Sequence, residues 1–159
     1  NPRLNPEYIS DKIHEYTEKE KAAPDIVIVN GLQVLRGEPE KEYDSLNHEL
    51  SEVVKELKYI GKDVPTAMVV TSHINRAVED RVSKRPRLAD LRDSGAIEDL
   101  ADVVLFLYRD EVYNRSEDNP ERGIAEVIVA KNQMGPVGLL KLAFLEQYGA
   151  FENLARIDE

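Results

Sequence analysis

Between Pro6 and Ala22 apolar side chains are sparse among charges, yet Ile9, Ile13 and Tyr16 stand four and three residues apart, which places them on one face of a helix. Pro24 ends that pattern. Asp25-Ile26-Val27-Ile28-Val29 is then a β-branched apolar run closed by Asn30-Gly31, the pattern of a buried strand with a turn after it. From Glu42 to Gly61 the apolar positions Leu46, Leu50, Val53, Val54, Leu57 and Ile60 return at helical spacing, with Gly61 placed to terminate the helix. Pro65 to Ser72 supplies a second strand. A strand, a helix and a strand in this order predict a parallel, right-handed unit.

The stretch from His73 to Arg92 is polar and interrupted by Pro86, so it predicts loop, with helix at its start and near Leu88 to Leu91. A short helix is expected over Ser94 to Leu100. Asp102 to Tyr108 predicts another buried strand, and Asn114 to Arg122, with Pro120, a polar loop. Ile124 to Lys131 and Gly138 to Leu145 flank Met134-Gly135-Pro136 and predict a β-hairpin, with a last short strand around Phe151. The whole predicts a mainly parallel α/β sheet extended by antiparallel strands, which names no function.

At 159 residues with 42% hydrophobic content, one domain with its own core is the expectation. No apolar run reaches the roughly 20 residues of a membrane span, and the first residues resemble neither a signal nor a transit peptide, so a soluble, cytoplasmic protein is expected. The first residue is Asn1 rather than Met, which points to a fragment or a processed product. Cysteine is absent and the three histidines lack metal-site spacing, so no resident metal is expected; a metal would arrive with a nucleotide.

A net charge of -10 argues against a protein that coats duplex DNA electrostatically. One segment departs from that balance. Arg76, Arg81, Lys84, Arg85, Arg87 and Arg92 face only Glu79, Asp80 and Asp90. On charge alone, a localised anion-contacting loop and a solvated loop of mixed charge both fit.

The block from Lys84 to Glu98, Lys-Arg-Pro-Arg-Leu-Ala-Asp-Leu-Arg-Asp-Ser-Gly-Ala-Ile-Glu, followed by Ala101-Asp102-Val103-Val104-Leu105-Phe106-Leu107-Tyr108-Arg109-Asp110-Glu111, resembles the DnaB family of hexameric replicative helicases. The likeness continues through Arg122 to Lys131, Gly135-Pro136, Gly138 and Phe151-Glu152-Asn153, and more loosely back to Asp25, about four-fifths of the chain. The resemblance implies a RecA-like α/β domain of the P-loop NTPase type, here the C-terminal part of it. It also implies a ring-forming homo-oligomer, hexameric in the family, that uses ATP and Mg2+ to translocate on single-stranded DNA and part the duplex. A helicase loader or primase is an implied partner.

The resemblance also assigns roles to individual positions. The family's phosphate-cradling GxxxxGK[ST] loop lies upstream of the matching region and does not occur in this sequence, so the chain by itself is expected to be inactive. Where the family carries a magnesium-orienting Asp followed by Tyr-Leu-Gln, this chain has Asn30-Gly31-Leu32-Gln33; the first residue also reads simply as part of a turn. His73, in Ser72-His73-Ile74-Asn75-Arg76, stands where the family places a glutamine that senses the γ-phosphate. Lys131-Asn132-Gln133 keeps the lysine of a Lys-x-Arg pair that reaches a neighbour's nucleotide, but replaces the arginine. An arginine finger contributes on the order of 10³–10⁵ in rate, and a neutral amide does not substitute for it. Thus Asn30, His73, Lys131 and Gln133 are the catalytic candidates, and Asn30, Gln33, His73 and Lys131 the nucleotide-binding ones.

Asp90-Leu91-Arg92-Asp93-Ser94-Gly95 matches the family's DNA-gripping segment apart from one shorter acid. Arg92 would pair with phosphate, Gly95 would admit close backbone approach, and Asp93 would orient or cap the next helix. Such binding is sequence-neutral. The implied function is part of an ATP-dependent replicative DNA helicase. The altered Asn30, His73 and Gln133 leave a second reading, a catalytically degenerate accessory or single-stranded-DNA-binding relative.

Overall fold

The computed structural model describes residues 4–154, apart from the side chains of residues 92–94. The chain divides into two compact units, one formed by the residues up to Ala77 with Ala89–Ala101, the other by Val78–Leu88 with the residues from Asp102 onward.

The first unit begins with helix α1, Pro6–Glu20. The Asn5 side chain accepts a hydrogen bond from the Tyr8 backbone N–H at 2.9 Å, Pro6 occupies the first turn, and Lys21 closes the helix in the left-handed conformation at φ 59°. Strand β1, Ile26–Val29, pairs in parallel with β2, Ala67–Val70, Ile26 opposite Ala67 and Val29 opposite Val70. Between them runs α2, Leu46–Asp63, whose Ser45 cap accepts from the His48 N–H. Its Leu50, Val53 and Leu57 close on Leu32 and Leu35, and Ile9, Val29, Val70 and Ile97 pack around that cluster. Ile97 belongs to α3, Gly95–Leu100, a short helix that follows a 3-10 turn over Leu88–Ser94.

Gly61 does not end α2. The helix continues to Asp63 and stops before Pro65, whose ring disfavours a helical residue ahead of it. A methyl group on Gly61 would sit 3.5 Å from Met68 Cβ, an ordinary van der Waals contact, so the glycine lies on the helix face against β2.

The second unit is an antiparallel meander of four strands in the order β3 (Val103–Tyr108), β4 (Ile124–Asn132), β5 (Gly138–Leu145) and β6 (Ala150–Asn153). Parallel and antiparallel parts therefore form two sheets, where the sequence predicts one mainly parallel sheet with an extension. The strands predicted as buried also show one open face each. Ile26 and Ile28 of β1 are 58% and 69% exposed, and on β3 Leu105 and Leu107 are exposed while Val104, Phe106 and Tyr108 are buried. Side chains alternate across a strand, and the described residues cover one side of it. Among the described residues no helix is long and apolar enough to cross a membrane.

Candidate functional site

The C-terminal ends of β1 and β2 are tied into one polar tip. After Val29 the chain turns through Gly31, at φ 92°, into a 3-10 turn anchored by buried Leu32. The ladder runs on past the strands: the Thr71 N–H donates to the Val29 carbonyl at 3.0 Å and the Leu32 N–H to the Thr71 carbonyl at 2.8 Å. Side chains complete it. The Thr71 hydroxyl accepts from the Gly31 N–H at 2.8 Å and donates to Asn30 Oδ1 at 2.8 Å. Gln33 Nε2 donates to Ser72 Oγ at 2.8 Å, and Gln33 Oε1 accepts from the His73 N–H at 3.2 Å.

These bonds decide what the tip can hold. Because the Thr71 hydroxyl already accepts from Gly31, its own hydrogen goes to Asn30 Oδ1, and the other end of that amide is a donor. Asn30, Thr71, Ser72 and Gln33 are a neutral hydrogen-bonding set, with His73 beside them. They do not fit direct magnesium coordination, which favours carboxylates, and among the described residues no group of three His, Asp or Glu side chains could hold a metal. They do fit a phosphate or water oxygen approached by N–H donors such as the Asn30 amide.

Asn30, Gln33 and His73, predicted from the sequence, are thus brought together. Thr71 and Ser72 were missed. The loop beyond His73 reaches the candidate nucleic-acid segment, since the Asn75 N–H donates to the Asp90 carbonyl at 3.0 Å and buried Leu91 seats the same 3-10 turn. The side chains of Arg92 and Asp93 lie outside the described residues. Gly95 opens α3 with no atom within 4 Å of where a Cβ would stand, so that side of the backbone is open.

Lys131 and Gln133 belong to the other unit. Lys131 pairs with Val104 immediately beyond an irregularity in the ladder, after which Leu105 pairs with Val129 and Ala130 is the extra residue of a bulge. The Gln133 N–H donates to the Asp102 carbonyl at 2.9 Å. Asn132, between them, shapes the hairpin turn by accepting from the Met134 N–H and donating to the Pro136 carbonyl.

A group the sequence reading did not single out fastens the basic loop. The Arg85 guanidinium grips the Glu126 carboxylate with two bonds of 2.6 and 2.7 Å and lies 4.8 Å from the Tyr108 ring centre. Glu126 is buried, and its hydrogen bonds, then its charge, drive the Arg85 pKa further up. The Tyr108 hydroxyl donates to Asp110 at 2.8 Å, and burial, then that hydrogen bond, pushes its pKa up to about 12. Nearby, the Gly123 N–H and, after it, Arg109 hold Glu111 below the usual carboxylate range. A glutamate inside an apolar strand, Ile124-Ala125-Glu126-Val127, is the signal that was available in the sequence.

Solved structures share this fold. A DnaB-like replicative helicase, described with its interactions with primase, superposes with a TM-score of 0.86 at 38% identity, over 96% of this chain and 35% of its own. A second solved chain, an ATPase domain, does so with a TM-score of 0.87 at 38% identity, over 96% of this chain and 52% of its own. The fold is that of an α/β domain of the RecA-like ATPase class.

Residues 1–153 match the model of the DnaB-like helicase C terminal domain, and the chain belongs to that family. Among characterised relatives, the replicative DNA helicase DnaC of Bacillus subtilis (strain 168) is 38% identical over 138 residues, 87% of this chain and 30% of that protein. The replicative DNA helicase DnaB of Pasteurella multocida (strain Pm70) is 39% identical over 137 residues, 86% of this chain and 28% of that protein. The chain thus spans somewhat under a third of the length of these relatives.

Proposed function

We propose that this chain is the C-terminal part of the motor domain of an ATP-dependent replicative DNA helicase, which moves along single-stranded DNA and parts the duplex. The observation that carries the reading is the short path from strand tip to nucleic-acid segment. Gln33 fixes the His73 backbone, and two residues later the Asn75 N–H holds the Asp90 carbonyl, two residues before Arg92. A change at the tip therefore reaches the segment through a hydrogen bond and a few covalent links. Family membership and the replicative helicases among its relatives support the same reading.

In this reading Asn30, Gln33 and His73 face the nucleotide, Lys131 and Gln133 reach the nucleotide of an adjacent copy in a ring of identical subunits, and Arg92, Asp93 and Gly95 contact single-stranded DNA. The family's phosphate-cradling loop does not occur in this sequence, and ATP would bring its own magnesium to the site. Primase or a loader is the partner class; one solved relative is described with its interactions with primase. The chain's residues supply orientation and neutral donors, while the missing carboxylate at Asn30 and missing guanidinium at Gln133 limit the rate.

The test is ATP hydrolysis by the intact protein with and without single-stranded DNA, before and after Asn30→Asp, His73→Gln and Gln133→Arg together. Hydrolysis stimulated by DNA, and faster in the triple variant, is expected. Absence of hydrolysis in both proteins would overturn the motor reading.

A further inference from the structure

We propose that Asn30 is a site of self-modification: the strand tip converts its side-chain amide to a carboxylate, with the Gly31 backbone nitrogen as the attacking atom and the Thr71 hydroxyl as the proton relay between them. The co-reactant is water.

The chemistry starts from the pair Asn30-Gly31. No other asparagine of the chain is followed by glycine. A backbone nitrogen reaches the side-chain carbonyl carbon of the asparagine before it by closing a five-membered ring, and glycine, with no Cβ, hinders that approach least. Gly31 stands at φ 92°, a region that L side chains rarely adopt, so the turn itself calls for glycine here. Asn30 is exposed and Gly31 only half-buried, so water reaches the pair.

Hydrogen bonding supplies the rest. One oxygen, Thr71 Oγ1, accepts from the Gly31 N–H at 2.8 Å and donates to Asn30 Oδ1 at 2.8 Å. It therefore touches both partners of the bond to be formed. The reaction needs a proton taken from the nucleophile and the charge that develops on the carbonyl oxygen neutralised, and this one hydroxyl is placed for both. The Gly31 proton passes to Thr71 Oγ1 while the hydroxyl's own proton passes to Asn30 Oδ1, and the Gly31 nitrogen bonds to Asn30 Cγ. Thr71 ends as it began.

Among the described residues Asn30 Nδ2 makes no hydrogen bond, so nothing holds the leaving group. The bond from Cγ to Nδ2 breaks with its electron pair going to nitrogen, the proton on Oδ1 moves to that nitrogen through solvent, and ammonia departs. The cyclic imide left behind is opened by one water, giving aspartate, or isoaspartate when water enters at the backbone carbonyl. Conversion inverts the tip: an amide donor suited to a phosphate or water oxygen becomes an anionic acceptor suited to a cation.

The intact protein is incubated at neutral pH, folded in buffer and unfolded in guanidinium chloride, and residue 30 is followed by peptide mass mapping with Asn30→Asp as the standard for the product. Conversion is expected to be faster in the folded chain than in the unfolded one. Thr71→Val should slow the folded chain on the order of a hundredfold, the low end of what a positioned proton-transfer group contributes. Thr71→Ser, which keeps the hydroxyl, should restore the rate. Conversion in the folded chain no faster than in the unfolded one overturns the proposal, because the tip then shields Asn30. Equal rates in Thr71→Val and the unaltered protein overturn it too, since the hydroxyl then relays nothing. Should Thr71→Val fail to fold, the comparison of folded and unfolded chains decides. No arm of the experiment uses ATP or DNA, so its failure leaves the motor reading as it stands.

Discussion

The strand tip of the first unit and the sheet of the second are fastened by opposite chemistry. At the tip, Asn30, Thr71, Ser72 and Gln33 are short neutral side chains exchanging single hydrogen bonds at an exposed edge. In the second unit the fastenings are ionic: Arg85 on Glu126, Arg109 on Glu111 and Lys141 on Glu121. Neutral bonds at a wet edge are each worth about 0.5–1.5 kcal/mol net, so they re-form easily when a ligand arrives. A buried carboxylate is different, because breaking its pair leaves a charge with no solvent. The tip is built to exchange partners and the sheet to keep them.

The largest expected effect follows from that contrast. Arg85→Ala leaves Glu126, 3% exposed, without its cation. Loss of one partner of a buried pair costs about 3–5 kcal/mol, and the lower end applies here because the Arg85 side chain is 42% exposed. Urea unfolding should show it as a lower midpoint than that of the unaltered chain. A loss below about 1 kcal/mol, the scale of a surface pair, would erase the distinction between the two regions.

Thr71→Val probes the other side. It removes the hydroxyl that accepts from the Gly31 N–H and donates to Asn30, at a cost of about 1 kcal/mol. Since the tip is exposed and the core beneath it is intact, the change should be local. Hydrogen exchange at the Gly31 amide should quicken while the exchange of the Val53 and Leu57 amides in α2 stays as it was. Slowed global folding or uniform loss of protection would mean that the tip is part of the core's fastening.

What the sequence disclosed follows the same division. The elements emerged from periodicity, because Leu50, Val53 and Leu57 had to share a helix face and the parallel strands were β-branched runs. Gly61 misled, since a glycine near the end of a helical pattern reads as a cap, while here it lies within the helix beside Met68. Apolar runs also gave no hint of which strand faces stay open. At the site, Asn30, Gln33 and His73 were found through a motif, whereas Thr71 and Ser72 looked like ordinary strand residues. Hydroxyls at the C-terminal end of a parallel strand, beside a polar tip, are a signal in principle, because ligands gather there. Arg85 and Glu126 are 41 residues apart and no local pattern joins them.

The smallest effect sharpens the comparison through pH. Tyr108 is buried in the second unit and its hydroxyl donates a hydrogen bond to Asp110, and these two causes, in that order, raise its pKa from 10.0 to about 12. The folded chain therefore keeps a proton that the unfolded chain releases. Stability from this group is fully present below pH 10.0 and declines as pH rises toward about 12. Tyr108→Phe cannot release a proton, so its unfolding midpoint should fall less steeply across that window, although it starts lower for want of the hydrogen bond. Asp110 keeps a second partner in Asn119, which donates to Oδ2 at 3.1 Å, so the starting loss should be slight. The difference between the two proteins is the quantity to follow, since other tyrosines and lysines titrate in the same range and cancel in it. Parallel pH profiles would show that Tyr108 ionises as freely in the folded chain as in the unfolded one, and the second unit would then owe its fastening to the ion pairs alone.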